Sequence, residues 1–514
     1  MSSCGLPARV SVRFVGTAVA LVALNLANVR GHGYYSRTAA LEALLALGVA
    51  LAACLRRGTP TLRAPAWLGP TALIAALLIL APQSIRLNPW REKWANCLLV
   101  PGLLILGVQA LRGRLRMAPA PMALLAVTAL LLSGKALTLT NLLSGAPPAE
   151  LAVLRLSAFV GFTLISWSAA CDLTASGGCG RGFRLRLVLL FAAGAVLRVA
   201  PVMIWPEPPI DVFVWMREAP HVLLEGRNPY MPANMSQGEL AVYPPLPILM
   251  TAPFALGSLD VRYANVVCYL LAALLLYCIA RRLHRPGLGI LVAGTYLNLP
   301  GVPFMFTYAW FEPMLAVLLA GGLFLLRKGN RLGHLMLAMA LTGKQFGLPL
   351  FLPLWRALRG QRRSFLAGVG LAAALVILPF FLWSPTDFLN GVLYLHLAIG
   401  PDLHSLTLRS AAHHLLGLTI PGWFAAAATL VLISWVSWRA PLTRNGLGLW
   451  MATVLLTFCL LFVKGYFNYF YLCSFLFLLG LAELAPEGET AILGERATLG
   501  GRAPTIGKPE RLAG

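Results

Sequence analysis

Charge is scarce in this chain. Only 18 of its 514 residues are acidic, and charged residues of both signs make up 11%, against about a quarter in a soluble globular protein. That shortage excludes a water-soluble fold. With 59% hydrophobic residues and a mean hydropathy of +0.77, the expectation is an all-α, polytopic integral membrane protein. Cysteine supplies no framework either: the nine are scattered, mostly within apolar runs, and no CxxC pair occurs. Cys171 and Cys179 form the one close pair, on the side expected to be cytoplasmic, where disulfides are disfavoured. No Walker A sequence, no GxGxxG between strand and helix and no HExxH is present, so neither a nucleotide cofactor nor a metal is expected. The adjacent His413 and His414 read as an interfacial pair in preference to metal ligands.

What the chain does have is cations between apolar runs. The formal charge of +23 falls in short clusters, which suits anionic lipid and not nucleic acid. Spans of roughly 20 residues are expected near 12–29, 39–55, 66–82, 97–111, 120–134, 152–170, 187–204, 262–280, 288–304, 309–326, 365–383, 420–438, 446–463 and 468–484, with a composite stretch at 332–356. The total is about 14–16 transmembrane or re-entrant helices. The first run lacks a small-residue cleavage site and reads as a retained helix. Residues 1–180 are expected to form an additional six-helix module, 181–485 the core, and 486–514 a disordered cytoplasmic tail.

Arg56, Arg57 and Arg63; Arg112, Arg114 and Arg116; Arg181, Arg184 and Arg186; Arg281, Arg282 and Arg285; Arg327, Lys328 and Arg331; and Arg356, Arg359, Arg362 and Arg363 share one side if the N-terminus is cytoplasmic. Both flanks of 332–356 are then on that side, so an even number of crossings lies between them. A short re-entrant hairpin turning at Thr342-Gly343-Lys344-Gln345 satisfies this, and a charged tip at membrane depth needs a polar cavity around it. By the same parity, Tyr243–Asp260 is expected to be an interfacial helix opened by Pro244 and Pro245.

The acidic residues concentrate in one place. Trp205 to Pro245 holds Glu207, Asp211, Glu218, Glu225 and Glu239, five of the 18, in a loop expected to face outward. Chemistry at a membrane surface fits such a segment. Arg227 to Tyr230 reads as a loop-shaping turn.

Asp211, then Glu225-Gly226-Arg227-Asn228-Pro229-Tyr230, then Tyr243-Pro244-Pro245-Leu246 resemble the first external loop of GT-C glycosyltransferases. The likeness is nearest to bacterial polyprenyl-phosphate-mannose-dependent mannosyltransferases. It continues through Trp310-Phe311-Glu312-Pro313, Leu341 to Lys344, His404-Ser405-Leu406 and Tyr466 to Tyr471, covering roughly 187–484. The family members lack the first 180 residues and six additional spans. They often carry Gln-Ser where this chain has His404-Ser405, and a histidine where it has Asn468.

The resemblance implies transfer of a sugar, mannose above others, from a polyprenyl-phosphate donor to a hydroxyl of an extracytoplasmic glycan or glycolipid, with inversion, in the inner (plasma) membrane. Such transfer needs a base, cations for the departing phosphate and a water-poor site. Asp211 is the expected base, favoured over Glu207 between its flanking prolines. Lys344 and Arg262 are the expected phosphate partners, Tyr243, His404 and Tyr469 the hydrogen-bond donors, and Glu312 a further substrate-binding candidate, with helix-end capping as its alternative role. A lipid-linked sugar flippase and an inactive scaffold homologue are the competing readings. A flippase favours internal repeats and charges deep in several spans, and no convincing repeat is visible.

Overall fold

The structure is a computed structural model describing residues 9–31, 34–55, 61–63, 128–129, 132, 148–173, 180–208, 210–236, 242–283, 286–395, 402–440, 446–462 and 465–484. The expected spans at 66–82 and 97–111, nearly all of 120–134, Glu239, Arg56, Arg57, the 112–116 cluster, Arg285, the Cys171–Cys179 pairing and the tail at 486–514 lie outside it.

The described chain is helical apart from one short antiparallel ribbon, in which β1 (Arg9–Ser11) pairs with β2 (Thr61–Arg63). α1 (Val12–Gly31), α2 (Arg37–Leu55), α3 (Pro148–Leu173) and α4 (Gly180–Ile204) follow the long apolar runs. α5 (Asp211–Leu224) and α6 (Leu246–Leu256) follow, then α7 (Arg262–Leu283), α8 (Pro286–Leu297) and α9 (Val302–Thr307). α10 (Glu312–Arg327) and α11 (Leu332–Thr342) lead into a 3-10 turn, Gln345–Leu350, and α12 (Phe351–Ala357). α13 (Arg362–Ala372), a π turn and α14 (Leu378–Trp383) make one nearly continuous rod, followed by α15 (Pro385–Leu389). α16 (Leu408–Leu416), α17 (Gly422–Arg439), α18 (Leu447–Leu461) and α19 (Phe467–Glu483) complete the chain. Six of the described stretches are long and apolar enough to cross a membrane, and five shorter apolar helices accompany them.

Two expectations are corrected. The acidic segment is not a plain loop: Asp211 opens a 14-residue helix. Val212, Phe213, Trp215, Met216, Ala219 and Val222 are its buried face, and their three- and four-residue spacing is helical. The run 288–304 is not one span either. It breaks at Asn298–Gly301 between α8 and α9, because Pro300 cannot continue the ladder and Gly301 takes φ +74°. A Cβ there would sit 2.1 Å from Phe467, so the turn needs both the left-handed backbone and the missing side chain.

The core is held by close helix pairs. α10 and α11 run antiparallel, with Gly322 and Gly333 so near that a Cβ on Gly333 would lie 2.5 Å from the Gly322 carbonyl. α18 and α19 pair in the same way through Gly448 and Gly480. Small residues let backbones approach where lipid offers no hydrophobic drive. α1 packs on α19 and α2 on α18, tied by Asn25 Nδ2 donating to Ser474 Oγ at 3.1 Å and Asn28 Nδ2 to the Phe467 carbonyl at 3.3 Å.

The hairpin at 332–356 has the expected shape. α11 stops at Thr342, Lys344 is extended, and the chain returns through the 3-10 turn and α12. The two arms end together, since His334 Nε2 lies 3.0 Å from Gln361 Oε1. Eleven residues of α11 span roughly 16 Å, too short to cross a bilayer.

Candidate functional site

The tip of this hairpin builds the site. Gly343 packs so tightly that a Cβ would lie 2.7 Å from Leu246 and 2.9 Å from Leu315, which fixes the tip against α6 and α10. Lys344 thereby projects onto the start of α10, where its Nζ pairs with Glu312 Oε1. Both are buried, at 3% and 1% exposure. From α19, Asn468 Nδ2 donates to the same Oε1 at 2.6 Å. The other oxygen, Glu312 Oε2, is buried without a hydrogen-bond partner.

Four aromatic rings enclose the ammonium: Phe311 at 4.5 Å, Tyr469 at 5.2 Å, Phe346 at 5.3 Å and Tyr243 at 5.5 Å from ring centroid to Nζ. These are cation–π distances. The rings brace one another, Phe346 against Tyr469 at 3.9 Å, Tyr243 against Phe311 at 5.1 Å and against Trp215 of α5 at 5.7 Å. Tyr243 is itself positioned by its neighbours. Tyr230 Oη donates to the Tyr243 carbonyl at 2.7 Å, and Asn228 Oδ1 accepts from the Tyr230 amide at 2.9 Å, so 227–230 is a shaping turn as its residues imply.

Asp211 is exposed at the first turn of α5, and its Oδ1 accepts from the Val212 amide at 2.7 Å. Burial holds the Tyr243 phenol well above its ordinary range, helped by the Asp211 and Glu312 carboxylates. That phenol therefore stays protonated and able to donate, and it stands within the field of both acids.

The other expected residues are placed differently. Arg262 is fully buried at the start of α7. Its Nε bonds Asp260 at 2.9 Å, its Nη2 bonds Asp260 at 2.6 Å, the Val202 carbonyl at 2.9 Å and the Pro206 carbonyl at 3.2 Å, and its Nη1 bonds the Thr307 carbonyl at 3.4 Å. With every nitrogen engaged, Arg262 ties chain segments together and is not presented to a phosphate. His404 is exposed. Its carbonyl accepts from the Tyr35 amide at 2.7 Å and its amide donates to Asp402 Oδ1 at 2.9 Å, so the α1–α2 connection and the 402–407 segment are joined there. Asp402 also accepts from Tyr466.

Lys344, Glu312, Tyr243 and Tyr469 thus converge, with Asp211 at the same end. Asn468, Phe311 and Phe346 complete the chamber without having been singled out in the sequence. Phe311 and Phe346 adjoin Glu312 and Lys344, a signal that was available. Asn468 gave none beyond its place in the motif. Among the described residues no three His, Cys, Asp or Glu side chains group together as metal ligands, and His414 instead stacks on Tyr35 at 4.6 Å.

Chemically the chamber is a neutral ion pair with one unsatisfied acceptor and apolar walls. An acceptor-only carboxylate oxygen invites hydroxyl donors, and aromatic faces suit the apolar face of a sugar ring.

Residues 241–463 match the family model of glycosyltransferase family 87, a family of GT-C-type membrane glycosyltransferases. The likeness and the apolar helices give the class: a multi-pass membrane glycosyltransferase, with a donor and an acceptor as substrates. The matched stretch includes Tyr243, Arg262, Glu312, Lys344 and His404, while Asp211 and Tyr469 lie outside it. No curated protein and no solved structure matches the chain.

Proposed function

We propose that the protein transfers a sugar, mannose as the leading choice, from a polyprenyl-phosphate donor to a hydroxyl of an extracytoplasmic glycan or glycolipid. The observation that supports this most is the buried Lys344–Glu312–Asn468 cluster, walled by aromatic rings and open at Glu312 Oε2. The sugar stacks on those walls and donates a hydroxyl hydrogen bond to Oε2. Asp211 takes the acceptor proton as the acceptor oxygen attacks the anomeric carbon. The bond from that carbon to the phosphate oxygen breaks, and its electron pair leaves with the lipid phosphate. Attack from the opposite face inverts the centre.

Lys344 offsets the developing phosphate charge, which makes it more than a structural partner of Glu312. Arg262 takes no direct part, because its donors are already engaged. In this scheme the N-terminus is cytoplasmic and the Asp211 end of the bundle faces outward in the inner membrane.

Reconstitution in liposomes with a labelled polyprenyl-phosphate sugar and a panel of acceptors tests the reading. Labelled glycosyl product is expected. Translocation of the labelled lipid without product would assign the protein to the transporters instead.

A further inference from the structure

Arg409 stands apart from the other buried cations. Among the described residues Arg186 donates to Gly182 and Ser168, Arg198 to the Gly194 and Leu297 carbonyls, Arg262 to Asp260 and three carbonyls, and Lys344 to Glu312. Arg409 is 7% exposed; its Nε, like that of Arg198, is buried without a partner, and no described carboxylate pairs with it. One turn along the same face of α16, His413 Nδ1 is a second buried nitrogen without a partner. An arginine cannot shed its proton, so a guanidinium with its Nε shut in without an acceptor and its Nη atoms still accessible is completed by an anion.

The surroundings suit such an anion. Arg409 lies in the first turn of α16, capped by Thr407, whose hydroxyl accepts from the Ser410 amide at 3.2 Å. It reaches toward the start of α17, where a Cβ on Gly422 would stand 3.9 Å from its Nη1. The preceding segment is anchored beside the chamber: Leu406 donates to the Gly465 carbonyl at 3.1 Å, Tyr466 donates to Asp402, and Tyr466 stands 6.0 Å from Tyr469. The guanidinium therefore sits at the same end of the molecule as Lys344.

We propose that Arg409 and His413 form a second phosphate-binding site, separate from the Lys344 chamber, which takes a phosphate monoester or diester. The fork of the guanidinium grips two phosphate oxygens, and His413 supplies a third contact. This goes beyond the transfer reaction and does not depend on it.

The test is binding to the full-length protein in nanodiscs, with farnesyl phosphate, farnesol and inorganic phosphate as probes. Farnesyl phosphate is expected to show a component that Arg409→Met weakens about 10- to 100-fold, the loss that follows removal of a charged hydrogen bond. Arg409→Lys should restore it in part, His413→Gln should weaken it less, and Lys344→Met should leave it in place. Competition by inorganic phosphate identifies a site for free phosphate, and its failure to compete identifies a lipid headgroup; either supports the proposal. Farnesyl phosphate binding that is indifferent to Arg409→Lys and His413→Gln, or shared equally by farnesol, overturns it even if Arg409→Met does not fold. Because no transfer is measured, the result stands whether or not the glycosyltransferase reading survives.

Discussion

α10 carries an ion pair at each end, and the two are built differently. At its first residue Glu312 meets Lys344 across aromatic rings, and one carboxylate oxygen is left without a partner. At its last residue Arg327 meets Glu483 at 2.8 Å, and the second oxygen of Glu483 accepts from the Gly448 amide at 2.8 Å. Glu483 therefore closes the start of α18 from the end of α19, a helix N-terminus satisfied by a carboxylate. A pair in which both carboxylate oxygens are engaged fixes architecture. A pair that leaves a buried acceptor unpartnered among aromatic rings calls for a donor from outside it.

The sharpest way to break this comparison is to leave both pairs alone. Asp211 is exposed and belongs to neither, so Asp211→Asn should lower turnover by about 10² to 10⁴ while the thermal midpoint and donor binding stay unchanged. Turnover within a few fold of the native enzyme removes Asp211 from the mechanism.

Cutting the pairs comes next. Lys344→Met should lower transfer about 10²- to 10³-fold, the scale of losing one preorganised electrostatic partner, and Lys344→Arg should recover part of it. Arg327→Met and Lys344→Met each strand a buried carboxylate, so each should cost roughly 3–5 kcal/mol of stability by denaturant titration. If Arg327→Met is thermally silent, Glu483 is not the structural partner described above.

A smaller effect tests the chamber wall. The Tyr243 phenol is held protonated by burial and by its acidic neighbours, so Tyr243→Phe removes a donor and not a titrating group. Activity should fall about tenfold, near the value of one hydrogen bond to a charged group, with no shift in the alkaline limb of the pH profile. A moved alkaline limb contradicts that assignment. The least perturbing test is topological: cysteines at Lys328→Cys and Gly360→Cys should be labelled from one side of the membrane and Glu225→Cys from the other. Labelling of 328 and 360 from opposite sides is incompatible with a hairpin whose arms end together.

How much of this was legible in the sequence varies with the physics behind each feature. The helical class followed from composition, because a chain with so few charges has few other ways to satisfy its backbone in lipid. The Lys344 hairpin followed from basic clusters on both flanks. α5 was hidden, since its helical apolar spacing ran beneath a conspicuous set of carboxylates and prolines. The break at Asn298–Gly301 was hidden by apolar residues on both sides, although Pro300 and Gly301 marked it.

Within the site, Glu312, Lys344, Tyr243 and Tyr469 converge from four chain segments, and only an ordered motif set could have grouped them. Arg262 misled because an arginine at a span boundary reads the same whether it faces a phosphate or Asp260. Arg409 was invisible, and Asn468 was marked only by its place in the motif, for a related reason: what distinguishes them is the presence or absence of a partner distant in sequence.

The central claim is that the pair at the Glu312 end of α10 serves the reaction and the pair at the Arg327 end serves the fold. It is tested most directly by measuring glycosyl transfer per folded molecule for Lys344→Met and Arg327→Met side by side in liposomes. The account predicts a loss of about 10²-fold or more for Lys344→Met and activity within a few fold of native for Arg327→Met. Equal losses in the two variants, or the larger loss in Arg327→Met, would contradict it.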